Sequence, residues 1–250
     1  AAAFSVFCFL ASFGIGNMTQ VNSISGNVYS VFGVPTWATG IVMLILCGLV
    51  IVGGLKRIAT VTEKIVPFMV LIYMVGTIAI LVKNFAMIPA VFTAIFEGAF
   101  ALKAAGGGIV GYGIKLAIEQ GMKRGVFSNE AGLGSSVMVH SNSNVREPVR
   151  QGMWGIFEVF ADTMVVCTLT AFTVLSSGLI DLDTGIAVTE YAGVALTKAN
   201  LVSTVFTMNF GWLGGAFVAI AIVLFAYSTV LGWSHYGSKA CEYLFGAKAT

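Results

Sequence analysis

The fold is decided by the stretch Phe127-Ser128-Asn129-Glu130-Ala131-Gly132-Leu133-Gly134, a polar, glycine-bearing interruption in an otherwise apolar chain. In a soluble protein such a stretch is an ordinary surface loop. Inside a membrane, freed backbone groups and an ionisable side chain cost free energy unless they line a protected cavity. If the chain spans a membrane, this stretch therefore indicates a binding site.

The composition is that of a membrane protein. Hydrophobic residues make up 58% of the 250 residues and charged residues only 10%, whereas about 25% is usual in soluble domains. The charge-free runs are Ala1–Leu55, Ile65–Val82, Thr163–Ile180 and Ala199–Ser238. One helical span needs about 20 apolar residues, and the alternating pattern of a membrane barrel is missing. The sequence therefore predicts an all-α polytopic membrane protein.

Nothing in the composition favours catalysis or nucleic-acid binding. The net charge is only +2. The cysteines and histidines stand singly, without metal-ligand spacing: Cys8, Cys47, Cys167, Cys241, His140 and His235. The sequence carries no Walker-type loop and no convincing catalytic triad. We therefore expect no enzyme, no cofactor and no nucleic-acid partner. The chain begins inside an apolar run without a leader peptide, which we interpret as the interior of a longer protein.

Hydrophobic runs and breakers predict the helices. The predicted spans are about Ala2–Tyr29, Trp37–Gly54, Ile65–Val82, Ile109–Asn144, Arg146–Ser177 and Trp212–Tyr236. An interfacial helix is predicted at Ile88–Lys103, before the breaker Gly106-Gly107-Gly108. A short helix is predicted at Ile186–Thr197.

The stretch around Asn129 has two interpretations. If Ile88–Glu119 is one broken span, Phe127–Gly134 is a cytoplasmic loop. If a span instead runs from Ile109 to Asn144, the break falls in its middle, at Phe127–Gly132. The second interpretation places four charged residues in or near the outer half-helix: Lys115, Glu119, Lys123 and Arg124. Lys115 and Glu119 are four residues apart and can pair on one face.

Charge distribution predicts the orientation. Basic residues concentrate in the 56–64 connection, at Arg146 and Arg150, and in the 239–248 tail. The acidic 181–190 connection falls on the other side. By the positive-inside rule, both ends are cytoplasmic and the chain crosses the membrane six times.

Several motifs resemble those of the alanine/glycine:cation symporter family. They are Lys123–Ser135, Gly14–Ser23, Gly53–Ala59 with Val66–Met69, Pro148–Gly152 with Asp162-Thr163, and Ser228-Thr229 with Gly232–Ser234. The resemblance is collinear over nearly all 250 residues. It implies a leucine-transporter-like fold with two inverted five-helix repeats and a substrate site at the bilayer midplane.

The resemblance also implies a function. This chain would be a single transmembrane domain, residues 1–250, equivalent to helices three to eight of the family. The function implied is sodium-coupled uptake of alanine or glycine, with sodium, the amino acid and the lipid bilayer as partners, in the plasma (inner) membrane. Asn129–Gly132 would be the second-repeat counterpart of a break in the family's first helix, which favours the broken-span interpretation.

The break offers groups that suit an amino acid. Free N–H groups at the helix resuming near Leu133 suit a carboxylate, and carbonyls with the Asn129 side chain suit an ammonium. Glu130 would meet that ammonium, a coupling ion or a Lys or Arg of the protein. We assign Phe127, Ser128, Asn129, Glu130 and Gly132 to substrate binding. A structural kink or a cytoplasmic loop is the alternative.

Asn17 and Gln20 lie one turn apart in the first helix and share a face. By themselves, such amides are typical of hydrogen bonds between helices. The resemblance makes Gln20 a substrate contact, with Asn17 as a secondary one.

Thr229 and Trp233 are also one turn apart, in the last helix. A hydroxyl beside an indole wall makes a small pocket that admits a methyl group and excludes bulk. In the leucine-transporter-like fold, hydroxyls of this helix ligate sodium, so Ser228 and Thr229 are candidate sodium ligands. Back-bonding to their own helix is the alternative.

Asp162 stands in an apolar helix and is a functional candidate for that reason. It would be a sodium ligand, a proton acceptor, or the buried partner of Lys115 or Lys123, and we favour the ion pair over direct sodium ligation. Glu158, one turn earlier, adds a second carboxylate to the same face.

The sequence therefore predicts a sodium:amino acid symporter working by alternating access. The rival within transport is a proton-coupled small amino acid carrier with Asp162 or Glu130 as the titrating group. A channel or a non-transporting membrane scaffold is the rival from another class.

Overall fold

The computed structural model describes residues 1–100, 108–197 and 200–247. Its α-helices are α1 Ala2–Phe13, α2 Thr19–Phe32, α3 Thr36–Ile51, α4 Gly54–Lys83, α5 Ile88–Phe100, α6 Gly108–Asn129, α7 Val137–His140, α8 Pro148–Val159, α9 Thr168–Leu175, α10 Leu201–Phe210 and α11 Trp212–Phe245. Two π-helical segments, Gly14–Met18 and Phe160–Cys167, join α1 to α2 and α8 to α9, and a 3-10 turn, Phe85–Met87, precedes α5. A small antiparallel hairpin pairs β1 Glu190–Tyr191 with β2 Val194–Ala195.

Within the described residues, four helical stretches are long and apolar enough to cross a membrane: Ala2–Phe32, Gly54–Lys83, Pro148–Leu175 and Trp212–Phe245. Shorter apolar helices cover Thr36–Ile51, Phe85–Gly98 and Leu201–Phe210. This architecture agrees with the predicted polytopic helical membrane protein. The six crossings and the inverted repeat stay predictions.

The predicted connection at 56–64 is wrong, because α4 is already helical from Gly54. Its 30 residues correspond to about 45 Å at 1.5 Å per residue, while the hydrocarbon core is about 30 Å thick. The helix is therefore long enough to carry Lys56, Arg57 and Lys64 beyond the hydrocarbon without leaving the helical conformation.

The predicted helix at Ile186–Thr197 is also wrong, because this segment forms the β1–β2 hairpin. Ala192 and Gly193 connect the strands with φ of +51° and +80°. Left-handed conformations at both central residues are typical of two-residue hairpin turns. Helix α10 was not predicted, and Gly211, with φ +65°, separates it from α11. The predicted interfacial helix is helical through Phe100, and its remainder lies outside the described residues.

The chain divides into two compact units. Unit 1 contains Ala1–Gly76 and Val188–Thr250, and unit 2 contains Thr77–Ala187. The core of unit 1 is formed by Ile24, Met43, Cys47, Val50, Ile58, Ala226, Tyr227, Val230 and Leu231. Helix α11 supplies the last four of these residues. Its Tyr227 hydroxyl also donates to the Leu46 carbonyl at 3.0 Å. At Gly214, an added Cβ would lie 2.2 Å from the Phe206 carbonyl oxygen, so α10 and α11 approach closely.

Unit 2 positions the interrupted stretch. Helices α5 and α9 pack through Phe92 and Phe172, whose ring centroids are 4.7 Å apart. The loop after α9 closes on Asp181, whose carboxylate accepts the N–H groups of Asp183 and Thr184 at 2.8 and 3.3 Å. These backbone donors hold the pKa of Asp181 below its ordinary value, so this exposed loop keeps its negative charge at neutral pH.

Candidate functional site

The predicted helix break lies at the end of α6. The helix stops at Asn129, and Glu130, Gly132 and Gly134 then have φ of +56°, +89° and +80°. Glu130 is a non-glycine residue in the left-handed region, which is uncommon. The helix does not resume near Leu133, and the predicted span to Asn144 is wrong. After the turn the chain forms only the four-residue α7, because three left-handed residues within five turn it away from the axis of α6.

Side chains within the stretch hold this turn. The Asn129 Oδ1 atom accepts the Ala131 N–H at 2.9 Å. The Ser135 hydroxyl donates to Glu130 Oε2 at 2.8 Å, and Ser135 is buried. The Glu130 carboxylate therefore has an internal partner, and the break is a specific turn.

The break is tied to the π-helical segment Phe160–Cys167. The Ser128 hydroxyl donates to Asp162 Oδ2 at 2.5 Å, and Asn129 Nδ2 donates to Thr163 Oγ1 at 2.9 Å. The Thr163 hydroxyl also lies 3.3 Å from Asp162 Oδ2. These contacts gather a carboxylate, an amide and two hydroxyls at one place. We refer to Ser128, Asn129, Asp162 and Thr163 as the oxygen cluster.

Asp162 is not paired with a lysine among the side chains that the structure describes. Lys123 instead pairs with Glu119 on α6, so the predicted ion pair of Asp162 with Lys115 or Lys123 is wrong. A hydroxyl partner leaves the Asp162 charge uncompensated, because Ser128 and Thr163 are neutral. The oxygen cluster thus combines a half-buried negative charge with oxygen donors, the ligand type that hard cations prefer.

In unit 1, the π-helical segment Gly14–Met18 contains Asn17. Its Nδ2 donates to the Ser12 carbonyl at 2.7 Å, while its Oδ1 is buried and accepts no hydrogen bond from any described residue. Buried polar atoms without partners are rare in native proteins. Gln20, half-buried, follows on α2.

Trp233 packs against the same segment. The indole is only 6% exposed, and a Cβ added at Gly16 would lie 2.5 Å from its Cδ2 atom. The glycine therefore allows the backbone to lie against the ring. Sequence reasoning missed Gly16, although the closely spaced Gly14 and Gly16 were a signal.

Ser228 and Thr229 both donate to the Phe225 carbonyl, at 2.8 and 3.0 Å. The back-bonding alternative for these hydroxyls is confirmed. Donation uses the hydroxyl proton and leaves oxygen lone pairs free, so back-bonding does not remove their capacity to ligate a cation.

Unit 2 contains a further network of polar side chains, which the sequence did not predict. His140 lies between Gln151 and Glu158, which are 11 and 18 residues away along the chain. No local motif predicts this meeting, because it depends on how α7 folds back on α8.

Comparisons with known proteins complete the description. A family model described as the sodium:alanine symporter family matches residues 1–250. The chain is 42% identical over 246 residues to the sodium/alanine symporter AgcS of Methanococcus maripaludis, covering 98% of this chain and 51% of that protein. It is 37% identical over 240 residues to an uncharacterized transporter of Haemophilus influenzae, covering 96% and 50%. It is 34% identical over 228 residues to a sodium/proton-dependent alanine carrier protein of Bacillus sp. strain PS3, covering 90% and 50%. The chain spans about half the length of the curated relatives it matches.

Proposed function

Because the chain belongs to the sodium:alanine symporter family, we propose that it forms part of a secondary-active transporter in the plasma membrane. The transporter couples the sodium gradient to import of alanine, glycine or a similarly small amino acid by alternating access. The observation that carries this proposal is the helix end at Asn129, whose polar side chains meet Asp162 and Thr163 at hydrogen-bonding distance. No covalent chemistry is needed for this function.

We assign sodium to the oxygen cluster. The Ser128 and Thr163 hydroxyls point their protons at Asp162 Oδ2, so their oxygen lone pairs can turn toward a cation while Asp162 remains the acceptor. The carboxylate supplies the charge that offsets part of the ion's dehydration. In unit 1, Ser228 and Thr229 are proposed as sodium ligands separately from the oxygen cluster of unit 2.

The substrate contacts follow from the charges of an amino acid. In the turn Glu130–Gly132, Asn129 already accepts the Ala131 N–H, so we assign the carboxylate to the Gly132 N–H. The Glu130 side chain, beside Phe127, is assigned to the ammonium. In unit 1, considered by itself, the buried Oδ1 of Asn17 accepts no hydrogen bond from any described residue, so we propose it as an acceptor for a polar group of the substrate. Gln20 and Thr229 are further polar contacts, and Trp233 limits the size of the side chain.

The test uses the full-length protein in proteoliposomes. At equal pH on both sides, an inward sodium gradient is expected to drive alanine uptake. Asn129→Ala is expected to reduce that uptake at least about tenfold, since it removes the donor to Thr163 Oγ1 and the acceptor of the Ala131 N–H, a loss of about 1.5 kcal/mol or more. Asn209→Ala is the matched control, because the Asn209 amide donates to the Val205 carbonyl of its own turn. Equal rates with and without sodium would overturn the proposal.

A proton-coupled carrier is the second candidate. The half-buried Asp162 carboxylate, facing hydroxyls and no lysine among the described side chains, favours it, because such a group can also be neutralised by a proton. The same vesicles separate the two: uptake driven by a pH gradient in sodium-free buffer and abolished in Asp162→Asn supports the second candidate.

A further inference from the structure

His140 is held by two side chains of α8. Its Nδ1 atom lies 2.7 Å from Gln151 Nε2, and its Nε2 atom lies 3.4 Å from Glu158 Oε2. The His140 side chain is 22% exposed and that of Glu158 is 58% exposed. The ring is therefore fixed at both nitrogens while water still reaches the pair.

These contacts define how the ring takes up a proton. An amide nitrogen at Nδ1 is a donor, so Nδ1 accepts and the ring hydrogen sits on Nε2, facing the carboxylate. A proton from water adds at Nδ1, and the Gln151 amide then rotates to present its oxygen. The product is an imidazolium bonded to an amide oxygen and to Glu158. Imidazole is the side chain that ordinarily changes charge near neutral pH.

This network borders the helix break. A cavity of about 410 Å³ is lined by Asn129, Ser136, His140 and Glu158 together with apolar residues and glycines of α8. A second cavity, about 470 Å³, lies between residues 136–145 and α8, again with His140 in its wall. The segment from Ser136 to Ser143 is thus underpacked against α8, and the His140 contacts help to hold it there.

Three other charged groups near this segment have partners of their own, and Arg146 is exposed. From the break, Glu130 accepts from Ser135. From α8, Arg150 pairs with Glu147 at 3.1 Å. From the π-helical segment, Asp162 accepts from Ser128. Glu158 is therefore the charged group whose contact with His140 changes when the ring is protonated.

We propose that His140, Gln151 and Glu158 form a proton-binding site that fastens the segment 136–143 to α8. Protonation converts a neutral contact into an ion pair and tightens this docking. Since the segment continues directly from the break at Asn129, its docking controls the rate at which the break rearranges. The transport consequence rests on the proposed function, whereas the proton site itself does not.

Two measurements on the full-length protein test the proposal. The first is hydrogen exchange of the amides of residues 137–143, corrected for the chemical exchange rate at each pH. Protection is expected to rise about threefold from about pH 8 to about pH 6, the gain typical of a partly exposed ion pair. His140→Gln is expected to remove this rise, because an amide can keep both contacts of the neutral ring but cannot be protonated. Glu158→Gln is expected to remove it too.

Glu147→Gln is the matched control, since it removes a carboxylate at the start of α8 that pairs with Arg150 instead of His140. It is expected to keep the pH response. The second measurement is sodium-driven alanine uptake over the same pH range, whose pH dependence His140→Gln is expected to flatten.

The outcomes are separable. An unchanged pH response of exchange in His140→Gln, or none in the unmodified protein, would overturn the proton site. Sodium-driven uptake with identical pH dependence in both proteins would overturn its role in transport. If the unmodified protein shows no sodium-driven uptake, the proposed function fails, and the exchange measurement still decides the proton site.

Discussion

Asn129 uses both ends of its amide. Its Nδ2 reaches across to Thr163, and its Oδ1 accepts the Ala131 N–H directly after the helix end. One side chain therefore closes the turn and joins it to the π-helical segment. Aspartate at this position would lose the donor, and alanine would lose both contacts. The two contacts need one donor and one acceptor on the same side chain, which explains why an amide residue ends this helix.

Position 16 requires glycine because the Trp233 ring leaves no room for a Cβ atom, and adding one methyl group tests this. Gly16→Ala is expected to lower the free energy of unfolding by about 1–3 kcal/mol, because its Cβ would overlap the Trp233 ring and overpacking has costs of that order. Thermal unfolding in detergent measures it. Gly14→Ala is the matched control, since nothing lies within 4 Å of its added Cβ. Equal destabilisation by the two variants would contradict the close contact.

Trp233 is expected to set substrate size. Trp233→Ala is expected to reduce the preference for alanine over leucine at least about tenfold, because the receding wall leaves room for a longer side chain. Competition for sodium-driven uptake measures this preference. The control is Trp212→Ala, which removes a 63% exposed indole from the same helix. Unchanged discrimination in Trp233→Ala would refute the pocket assignment.

At the scale of elements, both π-helical segments contain a proposed site residue. Asn17 lies in Gly14–Met18, and Asp162 lies in Phe160–Cys167. In a π turn the hydrogen-bonded residues are five apart along the chain instead of four, which shifts the side chains relative to the α-helical period. Such turns are frequent at functional sites. An α-helical period predicts that Asn17 and Gln20 share a face, but the π turn ends between them.

The turn after α6 depends on Gly132. Gly132→Ala is expected to cost about 1–2 kcal/mol, because an L-residue with a Cβ is strained at φ +89°. Sodium-driven uptake is expected to fall with it, since the break is then distorted. Gly125→Ala, in the helical part of α6 with open space around its Cβ, serves as the control. Uptake and unfolding of Gly132→Ala equal to those of Gly125→Ala would show that the left-handed turn is not required.

At the scale of the whole molecule, charge predicts the orientation in the membrane. In a cysteine-free full-length protein, Asp183→Cys is expected to react with a membrane-impermeant maleimide in intact cells. Asp183 is exposed, and residues 176–197 carry no Lys or Arg, whereas loops rich in Lys and Arg stay cytoplasmic. Arg146→Cys, exposed in the basic connection, is expected to react only after permeabilisation. The reverse pattern, or labelling of both sites in intact cells, would contradict the predicted topology.

Much of the fold could be predicted from the sequence because its main signals are local. Long charge-free runs predict membrane helices, and the glycines with Asn129 predict the end of α6. The hairpin at Glu190–Ala195 was missed because its turn, Ala192-Gly193, is a weak signal beside helix-forming neighbours. The early start of α4 was missed because the charged residues at 56–64 were interpreted as a loop. A long helix can also carry charged residues beyond the hydrocarbon.

The sequence by itself determined that this chain is a helical membrane protein of a symporter family, with a helix ended at Asn129. Only the tertiary structure decided what Asp162 and His140 contact. Asp162 lies against Ser128 instead of a lysine, and His140 meets Gln151 and Glu158. The physical reason is range: hydrophobicity and turn propensity act between neighbours in sequence, whereas a partner for a buried polar group is set by how distant segments pack.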